Sequence, residues 1–525
     1  MPKVLIADEL SPKALEVFAA RGVDADSRVG LTPAELLAAI PDYDGLAVRS
    51  TTKVTAEVLK AGRRLKVVGR AGIGVDNVDV KAATAAGIAV MNTPFGNATT
   101  TAEHALALML ALAREIPAAD ASTRKGEWAK ARFLGVELAG KTLGIIGCGN
   151  IGSIVADRAQ ALKMKVVAYD PYLSPERARE LGVEKLALDA LFRRADVVTL
   201  HVPLTPETRH MIDAAAIAQM KPGVRIVNCA RGGLIDEPAL AAALQSGRVK
   251  GAALDVFETE PARSNPLFAL PGVICTPHLG ASTAEAQEAV AIQIAEQLAD
   301  FLLSGAVVNA VNLPAVSAEE APRLRPYMVL AEQLGSFAGQ LTESGLTAVA
   351  IEFEGHAARL NRRPIVAAAL KGLLAPQLQG VNMVNAPALA HERGIAVSET
   401  AHDRPCDYQS LIRLSVTTER QTRSVAGTLF AGDKPRIVNV KGIPLEASLA
   451  GRMLYIANKD KPGLIGRLGT LLGEAGVNIA SFHLGRLRAG GDAIALVEID
   501  QEPTDELLRR VRALPQVMQA KVLHF

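Results

Sequence analysis

Residues 142–161 carry the pattern that restricts the fold most. An apolar run, Thr142-Leu143-Gly144-Ile145-Ile146, enters Gly147-Cys148-Gly149-Asn150-Ile151-Gly152 and leaves as helix-compatible sequence. A strand that passes through GxGxxG into a helix belongs to a doubly wound α/β sheet. Gly147 is expected at the tight turn, Gly149 where a pyrophosphate meets bare backbone, and Gly152 where helix and strand pack closely. Asn150 and Ile151 open the helix, whose free N–H groups and positive dipole end favour phosphate. The next apolar run ends in Tyr169-Asp170. A carboxylate there accepts hydrogen bonds from the adenine ribose hydroxyls and repels a 2′-phosphate, so NAD is expected rather than NADP.

The rest of the chain is organised around that unit. Apolar runs at 142–146, 165–169, 197–200, 225–229, 251–254 and 273–275, separated by helical spacers, predict a large parallel sheet. Before them, runs at 3–8, 12–21, 45–48, 55–61 and 66–69 alternate strand-like and helix-like to give a smaller βα unit. Two capping boxes, Thr100 with Glu103 and Ser282-Thr283-Ala284-Glu285, predict helices that join the two units, the second ending near Leu303. The predicted division is a substrate-binding lobe at 1–98 and 285–312 and a dinucleotide-binding lobe at 99–284, with a cleft and hinge between two Rossmann-like α/β lobes. Residues 315–450 mix helical stretches with alternating strands, an α+β domain. From 452 to 525 the order strand, helix, strand, strand, helix, strand predicts a ferredoxin-like βαββαβ sandwich.

Composition narrows the class. With 57 basic against 55 acidic side chains, interspersed rather than blocked, the 525-residue chain shows no nucleic-acid or membrane footprint. Its N-terminus reads straight into a strand, without a signal-peptide pattern, and a cytoplasmic location is expected. Cys148, Cys229, Cys275 and Cys406 are scattered without ligand spacing, so they are expected to be small core residues in a reducing compartment, and no metal is expected.

Three residues lie at or just beyond the C-terminal ends of apolar strands, where open α/β sheets place their ligands. Arg231 follows Asn228-Cys229-Ala230 and suits a bidentate clamp on a carboxylate and its α-oxygen. His278, in Thr276-Pro277-His278-Leu279-Gly280, titrates near working pH and can take the proton of a secondary alcohol as hydride leaves. Glu260 can orient that ring and stabilise the imidazolium. In the smaller unit, Arg49 and Arg70 face the same cleft, with backbone around Gly72 and Gly74 able to receive an anion. Two cations besides Arg231 suggest a substrate with more than one anionic group, such as a phosphorylated acid.

The segments GIIGCGNIG (144–152), NCARGGLIDE (228–237), DVFETEP (255–261) and TPHLGAST (276–283) resemble the D-isomer-specific 2-hydroxyacid dehydrogenase family. The resemblance implies Arg231 as substrate clamp, His278 as acid and base, Glu260 as its partner, and Asp255 at the nicotinamide carboxamide. It also implies a cofactor lining of Cys229, Ala230, His278, Gly280 and Ala281. RAGIGVDNVD (70–79) and the stretch 92–114 resemble the long-form branch that oxidises 3-phosphoglycerate in serine synthesis. Lys130 and Arg132, near Trp128, correspond to a basic segment that reaches the neighbouring subunit's site in relatives. The C-terminal unit resembles an ACT regulatory domain, which implies L-serine held between two copies by Asn458, Asp460 and Asn478. Residues 315–450 resemble the intervening domain of that branch, and a homodimer or homotetramer is implied. Two other readings stay open: a glycerate or hydroxypyruvate reductase, and a dinucleotide-sensing transcriptional co-regulator.

Overall fold

The computed structural model describes residues 1–317, 319–402 and 407–525; Cys406, expected in the core, lies outside them. Four sheets follow one another along the chain. The first joins β1 (Lys3–Ile6), β2 (Asp24–Ser27), β3 (Gly45–Val48), β4 (Val67–Arg70) and β5 (Ala89–Asn92) in the order β2-β1-β3-β4-β5. All its pairings are parallel. β2 and β5 lie outside the runs expected from the sequence. The edge strand β2 reads Asp-Ala-Asp-Ser, and a polar edge carries no hydrophobic signal.

The second sheet comprises β6 (Thr142–Ile146), β7 (Lys165–Tyr169), β8 (Glu184–Lys185), β9 (Val197–Leu200), β10 (Val224–Asn228), β11 (Val249–Leu254) and β12 (Val273–Cys275), in the order β12-β11-β10-β9-β6-β7-β8. It adds the two-residue edge strand β8 to the six expected. The direction of winding reverses between β6 and β9, which opens the crevice used by dinucleotide-binding sheets. β10 stops one residue short of Cys229 for a local reason. The Asn228 side chain turns back, accepting from Ala230 N and donating to the Arg231 carbonyl, and so bends the chain out of the sheet. Cys148 and Cys229 are buried, and burial pushes the Cys148 thiol up to about 11. Cys275 is exposed, contrary to the core expectation, because β12 is the edge strand.

Two helices tie the lobes together. Helix Ala98–Ala113 packs Ala102, Ala105, Met109 and Leu112 onto the large sheet beside Leu143 and Ile145. The capping box expected at Thr100 and Glu103 does not form. The helix starts at Ala98 without a side-chain cap, and Glu103 is engaged by Arg158 at 2.8 Å. Helix Ala284–Ser304 is capped by Thr283, whose side chain accepts from Ala286 N, rather than by Ser282. It lays Val290, Ile294 and Leu298 on the small sheet, and the chain after it pairs Ala310 with Met91 alongside β5.

The third sheet is mixed: β13 (Leu346–Gly355), β14 (Ala396–His402), β15 (Ser410–Thr418), β16 (Thr422–Phe430), β17 (Lys434–Val440) and β18 (Ile443–Ala447), in the order β14-β13-β15-β16-β17-β18. Helices Ala321–Gln340 and Arg362–Leu374 cross closely enough that Gly335, Gly339 and Gly372 each touch backbone of the other helix. The last sheet, β19 (Arg452–Lys459), β20 (Ile479–Arg486), β21 (Asp492–Ile499) and β22 (Val517–His524), is antiparallel in the order β20-β21-β19-β22. With helices Leu464–Glu474 and Asp505–Arg512 it forms the expected βαββαβ sandwich.

One buried apolar cluster runs without a break from the small sheet (Val4, Met91), through helix Ala284–Ser304, to the third and fourth sheets (Phe353, Tyr455). The large sheet has two clusters of its own, one on each face.

Candidate active site

The glycine loop has the geometry that its three positions call for. Gly147 turns at φ +88, where a Cβ would sit 2.5 Å from the His201 carbonyl oxygen. A Cβ on Gly152 would stand 2.0 Å from the Gly147 carbonyl oxygen, so helix and loop meet only because that residue lacks one. Over Gly149 a Cβ would meet nothing within 4 Å, which leaves its backbone approachable by a ligand. Helix Asn150–Ala161 begins there, with Gly149 as an N-cap that has no side-chain partner. Asn150 is exposed and Ile151 packs partly against the sheet. At the end of β7, Asp170 Oδ2 accepts from Cys148 N at 2.8 Å, which holds the carboxylate beside the loop. An open glycine face at a helix N-terminus with a carboxylate on the neighbouring strand fits a dinucleotide with free ribose hydroxyls.

His278 and Glu260 meet across two loops. His278 Nδ1 lies 2.7 Å from Glu260 Oε2, while Glu260 Oε1 accepts from Phe257 N at 3.0 Å. Burial opposes the charged form of Glu260, but these bonds outweigh it, and the carboxyl titrates below its ordinary value. The ring is thereby fixed by one nitrogen, and among the described residues Nε2 has no hydrogen-bond partner.

Asp255, expected at the nicotinamide carboxamide, is 0% exposed, and its carboxylate holds the turn that carries His278. Oδ1 accepts from Thr276 Oγ1 at 2.6 Å and Leu279 N at 2.7 Å, and Oδ2 accepts from Gly280 N at 2.8 Å. His104 Nε2 stands 3.2 Å from Oδ1. The main chain of His278 sits in the left-handed region at φ +57, an unfavourable place for a non-glycine residue, with its N–H on the Asp255 carbonyl. Burial opposes the Asp255 charge too, and the His104, Thr276 and Leu279 contacts again bring its carboxyl below the ordinary value. His104 and Thr276 were not singled out from sequence. A histidine at the head of an apolar helical run is the only signal the sequence holds for His104. Cys229, Ala230 and Gly280 are buried and Ala281 is part-buried around this crevice.

From the small lobe, β4 delivers Arg70, whose Nη1 donates to the Gly74 carbonyl. Burial, with Arg231 and Arg49 nearby, lowers Arg70 to about 10. Arg231 and Arg49 are thus both within electrostatic reach of Arg70. Arg49 is held through its own N–H on Asp8 Oδ2 at 2.7 Å. Of the backbone N–H groups around Gly72 and Gly74 expected to receive an anion, that of Gly72 is engaged by the Arg70 carbonyl at 2.9 Å. Asp76, passed over in sequence, contacts Arg231 Nε at 3.0 Å. Trp128 is 88% exposed, and Arg132 pairs with Glu127 rather than with the cleft of its own chain.

The expected effector residues do not converge within one chain. Asn458 and Asp460 lie at one end of the last sheet, Asp460 joined to Arg486 at 2.7 Å and to Gly490 N at 3.1 Å. Asn478 precedes Ile479, which is level with Ile499 and hence with Arg452, six residues along β19 from Asn458. That is about 20 Å at strand rise. Among the described residues no group of His, Cys, Asp or Glu is placed to hold a metal ion, and no helix is long and apolar enough to cross a membrane.

Comparison with known proteins agrees with this architecture piece by piece. Residues 106–280 match the D-isomer specific 2-hydroxyacid dehydrogenase NAD binding domain, so the cofactor of the large sheet is NAD. Residues 323–441 match the D-3-phosphoglycerate dehydrogenase intervening domain and 452–516 the ACT domain. Among solved structures, the TT0316 protein of Thermus thermophilus is 39% identical, with TM-score 0.55, over 59% of this chain and 99% of that one. A D-lactate dehydrogenase from Aquifex aeolicus, solved with NAD and lactic acid, is 28% identical, with TM-score 0.54, over 59% of this chain and 100% of its own. The D-3-phosphoglycerate dehydrogenase of Synechocystis is 44% identical over 99% of this chain and 94% of its own. That of Methanocaldococcus jannaschii is 44% identical over 100% of both. With the dehydrogenase lobes, the intervening domain and the ACT domain in one order over the full length, this chain belongs to the D-3-phosphoglycerate dehydrogenase family.

Proposed function

We propose that this protein oxidises 3-phosphoglycerate to 3-phosphohydroxypyruvate with NAD, the entry step of phosphorylated serine synthesis. The observation that carries the reading is the His278–Glu260 pair at 2.7 Å, at the crevice that also holds Arg231 and the glycine loop. NAD, when bound, supplies the hydride acceptor. Gly147, Gly149, Asn150, Ile151 and Gly152 hold its pyrophosphate end and Asp170 its adenine ribose. Arg231 clamps the substrate carboxylate and α-oxygen with charge-assisted bonds. His278 Nε2 takes the hydroxyl proton as the carbonyl forms, and Glu260 stabilises the resulting imidazolium through Nδ1. Asp255 keeps His278 at its strained φ, so the base is in place before substrate arrives. Arg49 and Arg70 receive the phosphate. The electrostatic proximity of Arg70 to Arg231 and Arg49 supports a substrate with two anionic ends.

Steady-state turnover with NAD should favour 3-phosphoglycerate over glycerate and lactate by orders of magnitude in kcat/KM. Equal or better turnover of glycerate would replace the substrate assignment with that of a glycerate reductase.

The reading extends to feedback by L-serine, with Asn458 and Asp460 of one ACT domain meeting Asn478 of a second copy in a cytoplasmic homodimer or homotetramer. Amide and carboxylate groups suit the ammonium and carboxylate of an amino acid. The separation of these residues within the chain supports a site shared between copies. Saturating L-serine should lower activity and raise thermal stability; no change in either would remove serine as the effector.

A further inference from the structure

Arg231 is fastened from the opposite lobe. Its Nη1 donates to the Ala230 carbonyl at 2.6 Å, a contact within its own loop. Its Nε donates to Asp76 Oδ2 at 3.0 Å, and Asp76 belongs to the small lobe, 155 residues away. What remains for a ligand is Nη2 and the second hydrogen of Nη1.

The loop that bears Asp76 is braced on both sides. Arg70 Nη1 holds the Gly74 carbonyl and Asn92 Nδ2 the Ile73 carbonyl. Beyond Asp76, Asn77 Nδ2 donates to Arg49 O at 2.7 Å and Thr52 O at 2.6 Å. The backbone itself presses on the guanidinium: a Cβ on Gly74 would lie 1.8 Å from Arg231 Nη2. Stability does not account for the ion pair. The Asp76 side chain is 62% exposed, and pairs of that kind contribute little. A carboxylate placed among Arg49, Arg70 and Arg231 also opposes the entry of an anionic substrate.

We propose that Asp76 is a positioning residue that turns the Arg231 guanidinium toward the cleft from across the hinge, so that the clamp is set only when the two lobes meet. The proposal rests on the reading of Arg231 as the substrate clamp. Two effects then separate. The hydrogen bond to Nε orients the clamp and acts on kcat. The negative charge repels substrate and acts on KM.

The test uses the full-length protein with 3-phosphoglycerate and NAD. Asp76→Ala should lower kcat about tenfold, within the range a small misplacement of a reacting group costs, and lower KM about threefold by removing the repelling charge. Asp76→Asn keeps an acceptor for Nε, so it should restore most of kcat while keeping the lower KM. Melting temperature and NADH affinity should match the unmodified protein in both variants. Unchanged kcat in Asp76→Ala, or a raised KM at unchanged kcat, would overturn the proposal. Arg231→Lys separates this from the underlying reading: it should collapse kcat/KM by itself. If turnover of 3-phosphoglycerate survives that change, the clamp assignment fails and the role of Asp76 with it.

Discussion

The two parallel sheets are built alike and used differently. Each ends an apolar strand in a glycine-rich loop, Gly147–Gly152 after β6 and Gly72–Gly74 after β4. The loop after β6 runs directly into the twelve-residue helix Asn150–Ala161 and leaves Gly149 open. The loop after β4 leads only to the six-residue helix Val80–Ala85, and side chains claim its carbonyls. One therefore offers backbone N–H groups and a helix dipole, suited to a diphosphate. The other offers guanidinium groups packed on glycine, suited to an anion on a reacting substrate. Here the loop with a helix directly behind it leaves backbone open, and the loop without one has the Arg70 and Arg231 guanidinium groups packed on it.

The largest test of that contrast lies where the two uses meet. His278→Ala should lower kcat by about 10²- to 10⁴-fold while NADH titration shows a far smaller loss of affinity, because the ring acts on the reacting proton and only borders the cofactor. Next, Gly152→Ala should weaken NADH binding by about five- to 150-fold, since the new Cβ meets the Gly147 carbonyl and overpacking of this kind costs roughly 1–3 kcal/mol. Equal NADH affinity in that variant would show that the close approach is dispensable. In the small lobe, Arg70→Met should raise the KM for 3-phosphoglycerate by about tenfold or more, as expected for a lost charged hydrogen bond, and leave the NADH dissociation constant alone.

A pH series sharpens the large-sheet side further. The Glu260 carboxyl titrates below its ordinary value in the folded protein, so its contribution to stability is present above the unfolded value of about 4.3 and is lost as pH falls through the lower folded value. The melting-temperature gap between the unmodified protein and Glu260→Gln should therefore be widest near neutrality and close toward acid. The smallest effect is expected at the hinge helix. Thr283→Ala should cost about 1 kcal/mol in chemical denaturation without altering either ligand.

What could be read in the sequence was what depends on neighbours along the chain. The Gly147, Gly149 and Gly152 positions each answer a separate steric demand, so three spacings sufficed. The large-sheet strands were visible because apolar residues dominate them. β2 was not, since its Asp and Ser residues lie on an edge. The Thr100–Glu103 box failed because the helix begins earlier, at Ala98, which puts Thr100 inside it, and Glu103 pairs with Arg158 on a different helix. Asp255, expected at the nicotinamide carboxamide, is also the buried acid on which His104, Thr276 and the Leu279–Gly280 N–H groups converge, a set no local pattern records. Asp76 was invisible as a partner of Arg231, because the pair exists only once two lobes lie side by side.

The uninterrupted apolar cluster bears on how the molecule can be worked. Small sheet, hinge helix, intervening sheet and ACT sheet share one interior, and Asn382 of the intervening region reaches the Gly87 carbonyl of the small lobe at 2.9 Å. The large sheet keeps its interiors to itself. The C-terminal sandwich is therefore continuous in packing with the lobe that carries Arg49 and Arg70, as a handle is with one jaw of a vice, and not with the sheet that carries the glycine loop. Serine binding at the ACT end, as proposed above, should then change the KM for the acid before it changes NADH affinity.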